Sequence, residues 1–207
     1  MRVIHSQACL AEGTAHLARI EPRFARILPD LPDIPLRLKP DGFGALLNAI
    51  VSQQVSVASA SAIMGRLEIA GMTDPALVAL ATPEELRALG LSGQKARYAK
   101  ALALADLDYP GLHNLPTDEV ITRLTAVTGI GIWTAEIYAM FSLGRADVFA
   151  PGDLALQEAA RLIFDLPERP KDKALRAMAE PWAPWRSVAA RVMWAYYAYD
   201  KQREGIR

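Results

Sequence analysis

The stretch "VTGIGIWTAEIYAM", residues Val127–Met140, decides how this chain is read. Gly129 and Gly131 stand two residues apart, and an apolar run with helical spacing follows them at once. Upstream, "LPTDEVITRLTAVTGIG" offers Thr117 as a cap, acids behind it and apolar positions at Val120, Ile121, Leu124 and Val127. The pattern predicts a helix ending at Gly129 and another from about Trp133 to Leu143, joined by a tight glycine turn. Glycine tolerates a positive φ and has no side chain to block a close approach. Turn N–H groups backed by a helix N-terminus form a concave donor site for an anion. A DNA phosphate fits such a site and is held there without any base being read. On glycine spacing alone, a plain helix stop with Gly129 as its C-cap is the competing reading.

Composition bounds the rest. The 207 residues are 52% hydrophobic and 22% charged, the balance of a folded chain with a sizeable core. Abundant alanine and leucine with few β-branched runs point to a mostly helical protein. The 23 basic and 23 acidic residues cancel. That weighs mildly against a nucleic-acid binder, although charge on one face matters more than the total. Cys9 is the single cysteine, so no disulfide forms within the chain and no cysteine cluster holds zinc or an iron–sulfur centre. This suits a reducing compartment. The opening residues lack a long apolar core, and no run approaches the ~20 residues of a membrane span. The expectation is a cytoplasmic protein without a membrane partner.

Along the chain, residues 6–20 read as a first helix. "LPDLPDIPLRLKPDGF", with prolines at 29, 32, 35 and 40, reads as a rigid extended connection. Helical periodicity returns at Phe43 with Leu46, Leu47, Ile50, Val51 and Val55, and small and polar residues over 51–62 suggest a break. Thr82 before "PEEL" is a helix start, "LGLSG" a stop, and residues 94–106 a restart. Further helices are expected over about 154–164 and 185–201.

The pattern of Leu124, Gly129, Ile130, Gly131, Trp133, Thr134 and Ala135 resembles the hairpin of the helix–hairpin–helix (HhH-GPD) DNA glycosylase superfamily, in particular its 3-methyladenine DNA glycosylase II (AlkA-type) branch. Four other segments share the resemblance. "DVFAPGDLALQEAARLIF" supplies Asp153, 22 residues beyond Gly131, where the family keeps its catalytic aspartate. "AIVSQQVSVASA" resembles the segment that meets the minor groove, with Gln53 beside Gln54 and Gln54 at the position of the wedge that replaces an extruded base. The branch often has leucine at that position. "PWAPWRSVAARVMWAYY" resembles the branch's C-terminal segment and would place Trp194 against the base. "LSGQKARYAKALA" also looks like a family segment, with Lys95 beside DNA.

The resemblance implies an all-α, two-lobed fold with the active-site cleft between lobes. Residues 1–42 and 145–207 would form one lobe, and 43–144 the other, carrying the hairpin. The N-terminal β-domain of some relatives has no counterpart. Thr128, Gly129, Ile130 and Gly131 would grip a phosphate. The carbonyls of Thr125, Val127 and Ile130 would hold a monovalent cation, Na⁺ or K⁺, and no cofactor would be required. Trp133, Ile137, Tyr138 and Trp194 would receive the base.

The implied activity is removal of alkylated purines, of the 3-methyladenine and 7-methylguanine type, from duplex DNA by a monomeric enzyme. Bifunctional relatives carry a lysine where this chain has Trp133. Without that amine no Schiff base forms, so the implied enzyme is a monofunctional glycosylase. Plainer readings stand beside these: Asp153 as an N-cap alone, Asp147 as its rival, Gln53 and Gln54 as a solvated patch, Lys95 as a solvated lysine, and Trp194 as core. Trp185 and Arg186 read as structural. A non-catalytic DNA-binding module and a glycosylase for another lesion class are the alternative functions.

Overall fold

Prolines and short polar caps punctuate this chain into many brief helices. The computed structural model describes residues 1–203, and among them the regular structure is helical. An isolated antiparallel bridge between Val3 and Arg145 is the one β pairing among the described residues.

The helices are α1 (Gln7–Ile20), α2 (Pro22–Ile27), α3 (Phe43–Val51), α4 (Val57–Ile69), α5 (Pro75–Leu80), α6 (Pro83–Ala88), α7 (Gly93–Leu104), α8 (Tyr109–Leu112), α9 (Thr117–Thr125), α10 (Ile132–Phe141), α11 (Leu154–Ile163), α12 (Asp172–Met178) and α13 (Arg186–Arg203). They fall into two compact units: Met1–Leu38 with the chain from Ala139 onward, and Lys39–Tyr138. Both boundaries lie a few residues before the expected 42/43 and 144/145, and the second falls inside α10. Residues 204–207 of the expected first lobe lie outside the described residues.

In the unit Lys39–Tyr138, α7 packs against α3, α5 and α6. Phe43, Leu46, Leu47, Ile50 and Val51 are buried on α3, as their spacing predicts. Val55 is not: the chain turns after Val51 and leaves it exposed. Thr82 closes a capping box with Glu85, each satisfying the other's backbone N–H. Thr117 does not cap α9. The N-cap position falls on Pro116, whose extended ψ of 148° already turns the chain into the helix, so Thr117 becomes the first helical residue. Helix α9 also stops at Thr125, and residues 126–129 form a turn before α10.

In the other unit, α13 packs against α1 and α11. Trp182 is buried at its centre, edge-on to Phe24 at 5.2 Å and Phe149 at 5.5 Å and stacked on Phe164 at 5.8 Å. Such aromatic pairs add about 0.5–1.5 kcal/mol each to the burial of their surface. The N-terminal segment is tied down by Ile4 N–H to the Gly144 carbonyl and Ala146 N–H to the Arg2 carbonyl.

Candidate functional site

The two hairpin glycines are glycine for different reasons. Gly129 has φ 99°, and a Cβ built there would collide with the Tyr98 side chain of α7. Its turn conformation and its contact both exclude a side chain. At Gly131 a Cβ would meet nothing within 4 Å. The fold itself therefore does not require glycine at 131. Ile130 is buried and donates its N–H to the Val127 carbonyl at 3.0 Å. Thr128 and Gly131 are exposed, and α10 makes its first turn by Ala135 N–H to the Gly131 carbonyl at 3.0 Å. The opening N–H groups of any α-helix lack intrahelical acceptors, and those of α10 begin beside Gly131.

On α10, Trp133 is 44% exposed and Ile137 half-buried. Tyr138 is buried, and its Oη accepts the Gly42 N–H at 2.9 Å. Burial pushes this phenol up to about 12, with the Gly42 hydrogen bond opposing. Tyr138 is thus a packing residue whose hydroxyl anchors the entry to α3.

The turn from α3 to α4 presents Gln54, exposed and with φ 55°. A non-glycine residue in this left-handed region costs of order 1–2 kcal/mol, which surrounding structure must offset. Gln53, beside it, is half-buried and donates Nε2–H to the Gly129 carbonyl at 3.1 Å. Lys95 corrects its expectation as a surface residue. It is 9% exposed, and its ammonium donates to the Val51 carbonyl at the end of α3 at 2.7 Å. A cation suits the negative end of a helix, and burial lowers the pKa of this amine.

In the other unit, Asp153 is the N-cap of α11. Its Oδ1 accepts the N–H groups of Ala155 at 2.9 Å and Leu156 at 3.1 Å, and the indole N–H of Trp194 on α13 at 3.2 Å. Three donors thus converge on one carboxyl oxygen, fixing its orientation. Trp194 is half-buried, with Phe141 tilted against it at 5.7 Å. The buried Arg191 lies over the Phe141 ring at 4.6 Å and donates to the carbonyls of Ser187 at 2.9 Å and Met140 at 3.3 Å. Burial and the nearby Arg37 push its guanidinium down to about 10.

The approach to Asp153 is fixed separately. Asp147 makes a two-pronged pair with Arg186 at 2.6 and 2.7 Å, so the rival carboxylate is engaged in a structural bridge. The Ser187 hydroxyl lies 2.6 Å from the Arg145 carbonyl and 2.9 Å from that of Val148, and accepts the Val148 N–H at 3.1 Å. Trp185 is buried beneath the Arg2 guanidinium, 4.6 Å from its ring.

Sequence reasoning missed Tyr98, which supports Gly129, and Arg191 and Phe141, which back Trp194. Tyr98 stands three residues after Lys95 on α7, so helical spacing puts the two on one face and could have found it. Among the described residues no group of three or more His, Cys, Asp or Glu side chains could hold a metal ion. No helix among them is long and apolar enough to cross a membrane.

The chain is similar to known proteins in both sequence and fold. The sequence profile of the HhH-GPD superfamily base excision DNA repair proteins matches residues 47–184. The chain is 30% identical over 203 residues to DNA-3-methyladenine glycosylase 1 of Schizosaccharomyces pombe, covering 89% of this chain and 86% of that one. A solved S. pombe 3-methyladenine DNA glycosylase, in complex with abasic DNA, superposes with TM-score 0.75 at 29% identity, over 88% of this chain and 95% of that one. The DNA-3-methyladenine glycosidase of Bacillus halodurans superposes with TM-score 0.83 at 32% identity, over 98% and 95% of the two chains.

Proposed function

The chain belongs to the HhH-GPD superfamily of base excision DNA repair proteins, and from that premise we propose that it is a DNA-3-methyladenine glycosylase that removes alkylated purines from duplex DNA. The observation that carries the reading is Asp153, set at the N-terminus of α11 with Oδ1 held by two backbone N–H groups and the Trp194 indole.

Each part has a physical task. The C1′–N bond of a stacked nucleotide is out of reach, so the nucleotide is turned out of the duplex at a cost of roughly a few kcal/mol. The hairpin holds a backbone phosphate on the N–H groups around Gly131 and the start of α10, where a Cβ is absent and space is open. Gln54 fills the vacancy in the duplex. The aromatic ring of Trp194, tied to Asp153, receives the base, and an alkylated, positively charged purine gains about 0.5–2 kcal/mol over an electron-rich ring. Such a base leaves readily. Asp153, its Oδ1 held by three donors, stabilises the positive charge that develops on the sugar or orients the attacking water.

The reading requires no cofactor. A Na⁺ or K⁺ ion at the hairpin would be held by the carbonyls of Thr125, Val127 and Ile130. These are oxygen donors at the end of α9 and in its turn, although the Val127 carbonyl also serves the Ile130 N–H. The ion would fix the turn electrostatically. The enzyme acts as a monomer on DNA of the bacterial nucleoid.

The test is base release from dimethyl-sulfate-treated duplex, followed by chromatography. The wild-type protein is expected to release 3-methyladenine and 7-methylguanine. Asp153→Asn should lose about 100-fold or more of that rate while binding DNA, within the range for one positioned acid–base group. Full activity in Asp153→Asn would remove Asp153 from the chemistry.

A further inference from the structure

In the unit Lys39–Tyr138, three hydrogen-bonded or packed contacts close a ring around the α3–α4 turn and the hairpin. Lys95 on α7 donates to the Val51 carbonyl at the base of the turn. Tyr98, one helical turn further along α7, packs against Gly129 closely enough that no Cβ fits between them. Gln53 completes the ring by donating from the turn to the Gly129 carbonyl. The Tyr98 hydroxyl is itself held by the Gln94 amide at 2.5 Å, so its ring orientation is set. At the outer tip of this ring stands Gln54 in its left-handed conformation, exposed to solvent.

From this geometry we infer that Gln53, Lys95 and Tyr98 are positioning residues: they lock the turn carrying Gln54 to the phosphate-gripping hairpin, so that wedge and grip meet DNA as one preformed body. The inference rests on the proposed glycosylase reading for what the hairpin and Gln54 do. It reassigns Gln53 and Lys95, whose side chains face the protein's own carbonyls, from DNA ligands to supports. Preorganisation matters here because Gln54 is held in a disfavoured conformation. If the ring opened, the turn would relax and the wedge would have to be rebuilt on each encounter.

The experiment is a double-mutant cycle of Gln53→Leu and Gln54→Ala. It reads affinity for an intact duplex, affinity for the same duplex with a tetrahydrofuran abasic analogue, and single-turnover base release. Gln53→Leu should lose about tenfold of the preference for the abasic duplex, the upper end of what one amide–carbonyl hydrogen bond contributes. Intact-duplex affinity should change less than about threefold, because phosphate contacts carry it. Adding Gln53→Leu to Gln54→Ala should cost nothing further in preference, since the support has no effect once its wedge is gone. Gln53→Met keeps the length without a charge and loses the donor, and should behave as Gln53→Leu. Additive losses, or an equal loss on intact duplex, would make Gln53 a direct DNA contact and overturn the inference. Wild-type preference in both Gln53 variants would overturn it as well. Failure of the glycosylase reading is separate: it would appear as no base release from the wild-type protein.

Discussion

The indole Nε1 of Trp194 donates to the same Asp153 oxygen, Oδ1, that caps the first turn of α11. One carboxylate edge is therefore fixed from two helices, α11 through its backbone and α13 through a side chain. Trp194→Phe keeps an aromatic face against Phe141 and removes the donor. One hydrogen bond of about 1 kcal/mol corresponds to a five- to tenfold slower base release in single turnover. Abasic-duplex affinity should move less than about twofold. A comparable loss in abasic-duplex affinity would instead make Trp194 a direct contact to the DNA backbone.

The two hairpin glycines should separate on substitution. Gly129→Ala forces a side chain into a left-handed turn and into Tyr98. The conformational penalty alone is about 1–2 kcal/mol, enough to lower the melting temperature by roughly 5 °C. Gly131→Ala meets open space and should cost under about 1 kcal/mol of stability. Its DNA affinity should nevertheless fall about tenfold, the scale of one charge-assisted hydrogen bond to a phosphate. Calorimetry and a binding titration on both variants check the crossover.

Trp133 bears no amine, so incubation with alkylated duplex and borohydride should yield no covalent protein–DNA adduct. Strands should stay intact after base release until alkali is added. A trapped adduct would show that another amine reaches the sugar and that the chemistry includes a lyase step.

Glu158 gives a pH-dependent test in α11. Its hydrogen bond to Arg161, at 2.6 Å, holds the carboxyl below its ordinary value of 4.5. A carboxyl depressed in the folded state contributes stability that is fully present above its unfolded pKa and disappears as pH falls through the folded one. An ion pair this close to the surface is worth at most about 1 kcal/mol. Glu158→Gln should lower the melting temperature by no more than about 3 °C at pH 7. The difference from the wild type should shrink as pH falls below 4.5.

The elements that announced themselves did so through local rules. The capping box at Thr82, the buried stripe from Phe43 to Val51 and the polar interruption after it follow from side-chain spacing and caps. Helices α2, α5, α8 and α12 were not legible, because runs of four to seven residues are too short to show a hydrophobic period. Thr117 misled because a preceding proline can set the entry of a helix without a side-chain cap. At the site, Asp153 was readable as an N-cap from its place before an apolar run, and as a site residue only through the family resemblance. Its tie to Trp194 spans 41 positions and had no local trace. Lys95 looked solvated for the same reason: only the tertiary fold brings the Val51 carbonyl to it.

The isolated bridge between Val3 and Arg145 has a consequence for how the polypeptide matures. The unit Lys39–Tyr138 is one uninterrupted stretch, and on a ribosome it emerges whole before its neighbour can be completed. The other unit is stitched from both ends of the chain, with α1 against α13 and Ile4 against Gly144. Its first residues are synthesised earliest and find their partners last. Joining them carries a loop-closure entropy, over more than a hundred residues of intervening chain, that the contiguous unit does not bear. The part of the chain that carries Asp153 is therefore closed only after the part that carries the hairpin has been synthesised in full.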